Sequence, residues 1–136
     1  MQTKTIIEVR FPDCDMMGIV HHAVYPVWYE MARMDFFSGM GFSFSDMNAL
    51  GVNPAVVDLH LQFKASAKYP QTLSIVTKIG QFAPRKLQLL YETIDEAGNV
   101  INTAETFHVW TGPDGRAYNI EENLPEVYEK IKKAAQ

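Results

Sequence analysis

The stretch Asp13-Cys14-Asp15-Met16-Met17-Gly18-Ile19-Val20-His21-His22 gathers two carboxylates, a glycine and two imidazoles in one short segment. A carboxylate can act as a base or as a nucleophile toward an activated carbonyl. An apolar run with a helical period follows, and the unpaired N–H groups at a helix N-terminus can polarise an acyl oxygen. Together they point to hydrolysis of an activated acyl compound. The same residues also have an ordinary use, because aspartates between a strand and a helix form turns and caps. Adjacent histidines on a helix point about 100° apart and cannot chelate one ion as an i, i+4 pair does, so no metal is expected.

The surrounding sequence says what would hold this segment. Thr5, Ile7, Val9 and Phe11 alternate with polar residues and predict a strand over Thr3–Phe11, ended by Pro12-Asp13. Pro26 is tolerable only in a first helical turn, which sets a helix start between Ala23 and Tyr25 and a run to Gly39. Val27, Trp28, Met31, Ala32, Met34, Phe36 and Phe37 cover nearly its whole circumference, the pattern of a buried helix. Glu30 and Arg33 on it are expected to pair. A loop with one helical turn after Ser45 precedes a half-buried strand over Val57–Phe63. Further strands are expected at Leu73–Ile79, Lys86–Ile94 and Val100–Trp110. Asp95–Asn99 forms a hairpin turn, Pro113-Asp114-Gly115 a second turn, and Asn123 with Pro125 opens a closing helix. This order predicts an α+β fold: an antiparallel sheet wrapped around one long buried helix, helped by a second subunit.

Composition narrows the class. A chain of 136 residues fits one domain spanning 1–136, and 47% apolar with 21% charged residues fits a globular one. A net charge of −4 with scattered Lys and Arg argues against nucleic acid as partner. The single Cys14 excludes an internal disulfide and suits a reducing, cytoplasmic setting. No apolar run approaches the roughly 20 residues of a membrane span, and the first residues contain no apolar signal core. Neither a Gly-rich phosphate loop nor a Gly-x-Ser-x-Gly elbow occurs.

The pattern Asp15-x-x-Gly18-x-Val20-x-His22-x-x-Tyr25, followed by Glu30-x-x-Arg33, resembles the signature of hotdog-fold acyl-CoA thioesterases. It is most similar to the 4-hydroxybenzoyl-CoA thioesterase group and to the thioesterases encoded with the Tol–Pal system. The likeness continues through Phe63-x-x-Ser66-Ala67-x-Tyr69-x-x-x-Leu73 to the last hairpin. The resemblance implies a hotdog fold and hydrolysis of an acyl-CoA to free acid and coenzyme A, with no cofactor. It assigns Asp15 as nucleophile or general base. It gives His22 the orienting of thioester or water, with its backbone N–H as oxyanion donor. By the same resemblance Gly18 lets the loop approach substrate, Tyr25 lines the acyl pocket, and Arg85, Lys86 and Arg116 receive the coenzyme A phosphates. Asp13 and His21 rank below Asp15 and His22, and Glu30 is a minor candidate. A homodimer or homotetramer with a shared cleft is implied. Ser66 and Gln71 depart from the family pattern, and His21 replaces its usual aromatic. Met16, Met17, Trp28 and Tyr29 favour an apolar or aromatic acyl group. The rival readings are a non-catalytic acyl-CoA-binding protein and an enzyme acting on acyl carrier protein.

Overall fold

Pro26 decides where the long helix begins. In the computed structural model, which describes residues 1–136, helix α1 (Tyr25–Met40) carries Pro26 in its first turn, where a missing N–H breaks no helical bond. The helix stops at Gly41, whose φ of +91° is left-handed. Five strands form one sheet: β1 (Thr3–Glu8), β2 (Asn53–Phe63), β3 (Thr72–Ala83), β4 (Lys86–Ile94) and β5 (Val100–Thr111). Their order is β1-β3-β4-β5-β2 with every neighbouring pair antiparallel. Helix α2 (Phe44–Leu50) is capped by Ser43 Oγ, which accepts from the Asp46 N–H. Helices α3 (Ile120–Asn123) and α4 (Pro125–Ala134) close the chain. This is the α+β hotdog arrangement that the resemblance implies.

One core of 28 buried residues is built on α1 and the sheet and extends to Met47 of α2 and to Val127, Tyr128 and Ile131 of α4. Tyr25, Trp28, Tyr29, Ala32, Phe36, Phe37 and Met40 supply the helix side, and alternate residues such as Leu73, Ile75, Leu87 and Leu89 the sheet side. The Phe37 ring meets Trp110 of β5 with centroids 6.1 Å apart.

Four local expectations are corrected. Helix α1 is buried along one face only, because it packs over β1 and β3 and leaves Val27, Met31 and Met34 exposed. Glu30 and Arg33 do not pair; Arg33 Nη1 instead donates to the Tyr91 hydroxyl at 3.3 Å. Strand β1 stops at Glu8 and Phe11–Asp13 tightens into a 3₁₀ turn, so Phe11 leaves the alternation and is 77% exposed. Strand β2 is not half-buried: it is a sheet edge on which Val56, Val57, Leu59 and Phe63 are exposed. Alternation marks which residues share a face, but the chain covers that face only in part, at Leu61 and at the Phe63 ring that meets Tyr25.

The core also holds polar groups. Asn102 is fully buried, and its Oδ1 accepts from the Tyr29 hydroxyl at 2.7 Å. Burial pushes the Tyr29 phenol well above its ordinary range, so it remains a donor. Removing that hydroxyl leaves a carbonyl oxygen unpaired in the core, which costs about 1–3 kcal/mol. Tyr29→Phe is therefore expected to lower the unfolding free energy by that amount, read as a lower urea midpoint at an unchanged m-value; an unaltered midpoint would contradict the assignment.

Candidate active site

The segment from Asp13 to His21 is a tight hairpin set between β1 and α1. Its ladder runs from His21 N–H donating to the Asp13 carbonyl (2.9 Å), through the Cys14–Val20 bridge, to Asp15 N–H donating to the Ile19 carbonyl (2.9 Å). The tip closes when Gly18 N–H donates to the Asp15 carbonyl at 3.0 Å. Gly18 has φ +77°, and a Cβ there would meet no atom within 4 Å. Backbone conformation within the chain, rather than crowding, accounts for this glycine.

The two aspartates of the hairpin have different work. Asp13 is 3% exposed, and its carboxylate accepts from Arg10 N–H at 2.8 Å and Arg10 Nη2 at 2.9 Å. Burial acts to raise its pKa, but the Arg10 hydrogen bonds outweigh burial and hold it below the ordinary value. Asp13 therefore ties the exit of β1 to the hairpin. Asp15 is half-buried, and only one of its oxygens is engaged, Oδ1 accepting from Met17 N–H at 2.8 Å. Its Oδ2 has no partner in the chain and is free to meet a substrate or a water.

Beyond the hairpin, Val20 N–H donates to the Ala67 carbonyl at 2.8 Å and pins the loop to the segment following β2. His21 Nδ1 accepts from Ala23 N–H at 3.0 Å, and its ring stacks on that of His22 with centroids 4.2 Å apart. Both histidines are exposed. The backbone N–H groups of His22 and Tyr25 donate to nothing in the chain, and no side chain caps α1 at Val24. A 16-residue helix thus opens with free donors and the positive end of its dipole directly after the hairpin that carries Asp15. Such an end can hold the oxygen of a polarised carbonyl.

Tyr25 is 2% exposed and meets Trp28 and Phe63 edge-on at 5.2 and 5.7 Å. It joins the start of α1 to the end of β2, and burial raises its phenol pKa. Around the loop stand exposed apolar side chains, among them Met16, Met17 and Phe11, the last edge-on to Tyr69 at 5.9 Å. Phe11 was missed in the sequence because its spacing matches the strand; Pro12 directly after it was the available signal.

The three basic candidates lie elsewhere. Arg85 and Lys86 are exposed at the β3–β4 turn, and Arg116 is exposed in the turn after β5. Trp110 N–H donates to the Arg85 carbonyl (3.0 Å) and Gly112 N–H to the Arg116 carbonyl (2.9 Å), so these turns share one end of the sheet. The hairpin is at the other end, where Val9 N–H donates to the Gln71 carbonyl just ahead of β3. Nine residues of β4 separate the two ends, about 25–30 Å of extended chain. Within one chain the structure does not bring Arg85, Lys86 or Arg116 to Asp15.

Residues 9–134 match the model of the thioesterase-like superfamily. The chain belongs to that superfamily. Among relatives of this thioesterase, YneP of Bacillus subtilis is 33% identical, with 96% of this chain and 98% of YneP aligned. The acyl-CoA thioester hydrolase YbgC of Escherichia coli is 27% identical over 79% of this chain and 80% of its own length. A DHNA-CoA thioesterase from Staphylococcus aureus superposes with a TM-score of 0.92 at 29% identity, covering 97% of this chain and 89% of its own. A gentisyl-coenzyme A thioesterase superposes with a TM-score of 0.76 at 27% identity, covering 79% of this chain and 88% of its own.

The division of labour in the hairpin has a direct test. In this thioesterase Asp13→Ala is expected to lower the unfolding free energy by about 1–3 kcal/mol, since it strands the Arg10 N–H. Asp15→Asn should stay within about 0.5 kcal/mol of wild type. Denaturant titration of both variants checks this, and the reverse ranking would contradict it.

Proposed function

We propose that the protein hydrolyses acyl-CoA thioesters to the free acid and coenzyme A, with Asp15 as the catalytic carboxylate. The observation that carries this reading is a free Asp15 Oδ2 on the hairpin that leads directly into the unpaired N–H groups opening α1. The thioester oxygen accepts from the His22 N–H, and Tyr25 N–H adds to the same positive helix end. As the carbonyl carbon becomes tetrahedral, negative charge grows on that oxygen, and these donors stabilise it more than the ground state. Asp15 either attacks the carbonyl carbon, expelling the thiolate and leaving a mixed anhydride that water opens, or takes a proton from the attacking water. To the His22 ring, exposed and stacked on His21, this reading assigns the orienting of thioester or water. The coenzyme A thioesters handled by YbgC and by the DHNA-CoA and gentisyl-CoA thioesterases support the substrate class.

The second half of the proposal is a homodimer as the minimum assembly, in a cytoplasmic setting. Strand β2 is an 11-residue edge bonded on one side only, carrying exposed Val57, Leu59 and Phe63. An edge of this kind invites a partner strand, and two copies related by a two-fold axis pair antiparallel. That pairing sets the Phe63 end of one copy beside the Asn53 end of the other. The Asp15 loop stands at the first end, and Arg85, Lys86 and Arg116 at the second. A shared cleft then offers cations from one copy for the phosphates of a coenzyme A whose thioester meets Asp15 of the other. Exposed Val27, Met31 and Met34 of α1 suit an apolar or aromatic acyl group.

Free-thiol release from short, long, branched and aromatic acyl-CoAs tests the chemistry. Asp15→Asn should lower turnover about 10²–10⁴-fold with fold and size unchanged, the range for loss of a general base. A variant retaining most activity would overturn the mechanism. Arg85→Ala with Lys86→Ala should raise KM for acyl-CoA more than it lowers kcat; unchanged KM would remove these residues from the site.

A further inference from the structure

Behind the β2 edge runs a line of polar groups that the chemistry at Asp15 does not use. Arg33 Nη1 lies 3.3 Å from the Tyr91 hydroxyl, which lies 2.7 Å from Thr106 Oγ1. Thr106 Oγ1 is 2.7 Å from His108 Nε2, and His108 Nδ1 is 3.0 Å from the Pro54 carbonyl oxygen. Tyr91, Thr106 and His108 are all buried.

The two ends fix the direction of every bond between them. A carbonyl only accepts, so His108 carries its proton on Nδ1. Burial holds the His108 pKa down at about 4, so near neutral pH the ring is uncharged and Nε2 accepts. Thr106 gives its single proton to Nε2, and Tyr91 must therefore donate to Thr106. Tyr91 accepts in turn from Arg33, which can only donate. The result is a one-way line from α1 through β4 and β5 to the backbone of β2, with each hydroxyl held in one orientation.

That line ends at the irregular point of the edge strand. Val56 pairs with His108 and Asp58 with Phe107, leaving Val57 as an extra residue, a β-bulge. A bulge bends its strand and increases the local twist. The carbonyl held by His108 is two residues ahead of Val56, so the ring fixes the entry to the bend.

We propose that Thr106 and His108 are positioning residues: by holding the β2 bulge they set how a second copy's edge meets this one, and so the spacing between Asp15 of one copy and Arg85–Lys86 of the other. This rests on the shared-cleft reading above. Neither residue touches substrate, and their effect falls on the binding of coenzyme A rather than on the chemical step.

Thr106→Val keeps the side-chain shape and cuts the line, whereas Thr106→Ser keeps the hydroxyl. Sedimentation equilibrium and steady-state kinetics with an acyl-CoA that the wild type hydrolyses read both. The expected result for Thr106→Val is a KM raised about tenfold, kcat within about twofold, and a weaker dimer, with Thr106→Ser near wild type. If Thr106→Val does not fold, His108→Phe releases the Pro54 carbonyl directly and is expected to give the same split. A dimeric, active wild type whose Thr106→Val variant has unaltered KM and dimer affinity would overturn this inference alone, as would a fall in kcat with KM unchanged. A wild type that is monomeric yet active would overturn the shared cleft itself.

Discussion

The antiparallel sheet imposes a separation on which the rest of the account depends. Strands of six to twelve residues run from one end of the molecule to the other, so the turns between them fall into two distant groups. The carboxylate and the open helix end belong to one group, and the exposed arginines and the lysine of the β3–β4 turn to the other. In the shared-cleft proposal, a long substrate meets the first group with its thioester and the second with its phosphates. An edge strand that can pair with its own copy in the opposite direction is a simple way to bring the two groups together.

At the hairpin end, order comes from few interactions. Pro26 contributes no N–H of its own to the first turn of α1, and the N-cap position holds Val24, which has no side-chain oxygen. The donors that remain stay free because Val24 offers no capping oxygen. A helix end left open near a buried core is costly unless a ligand or water meets it. The Asp13–Arg10 bonds and the Val20–Ala67 bond hold the hairpin against it without engaging Asp15 Oδ2. The structural carboxylate thereby leaves the neighbouring one free.

Much of this was legible in the sequence. Pro26 dated the start of α1 to within two residues, and the strand expected at Lys86–Ile94 is β4 with the same bounds. Both aspartates stood out in the sequence, but only the structure shows that Arg10 saturates Asp13 while Asp15 keeps one oxygen unbonded. What was not legible depends on contacts distant along the chain. Glu30 and Arg33 have the spacing of a pair, but Tyr91, reached only through the sheet, takes Arg33. The apolar alternation of β2 is real, yet spacing cannot say that α1 leans toward β1 and β3 and leaves that edge bare. Arg85 and Asp15 gave no sign of lying at opposite ends until strand order was known. The line from Arg33 to Pro54 joins four elements, and no local pattern announces it.

Subunit complementation tests the shared cleft most directly. Asp15→Asn chains and Arg85→Ala, Lys86→Ala chains are mixed, dissociated and reassociated, and kcat/KM for an acyl-CoA is measured. In a mixed dimer one cleft receives an intact Asp15 and intact cations, and the other receives neither. Random pairing then gives roughly a quarter of the wild-type kcat/KM, well above either variant alone where both are strongly impaired. A mixture whose activity equals the average of its two parents would contradict the account, placing carboxylate and cations of one site in the same chain.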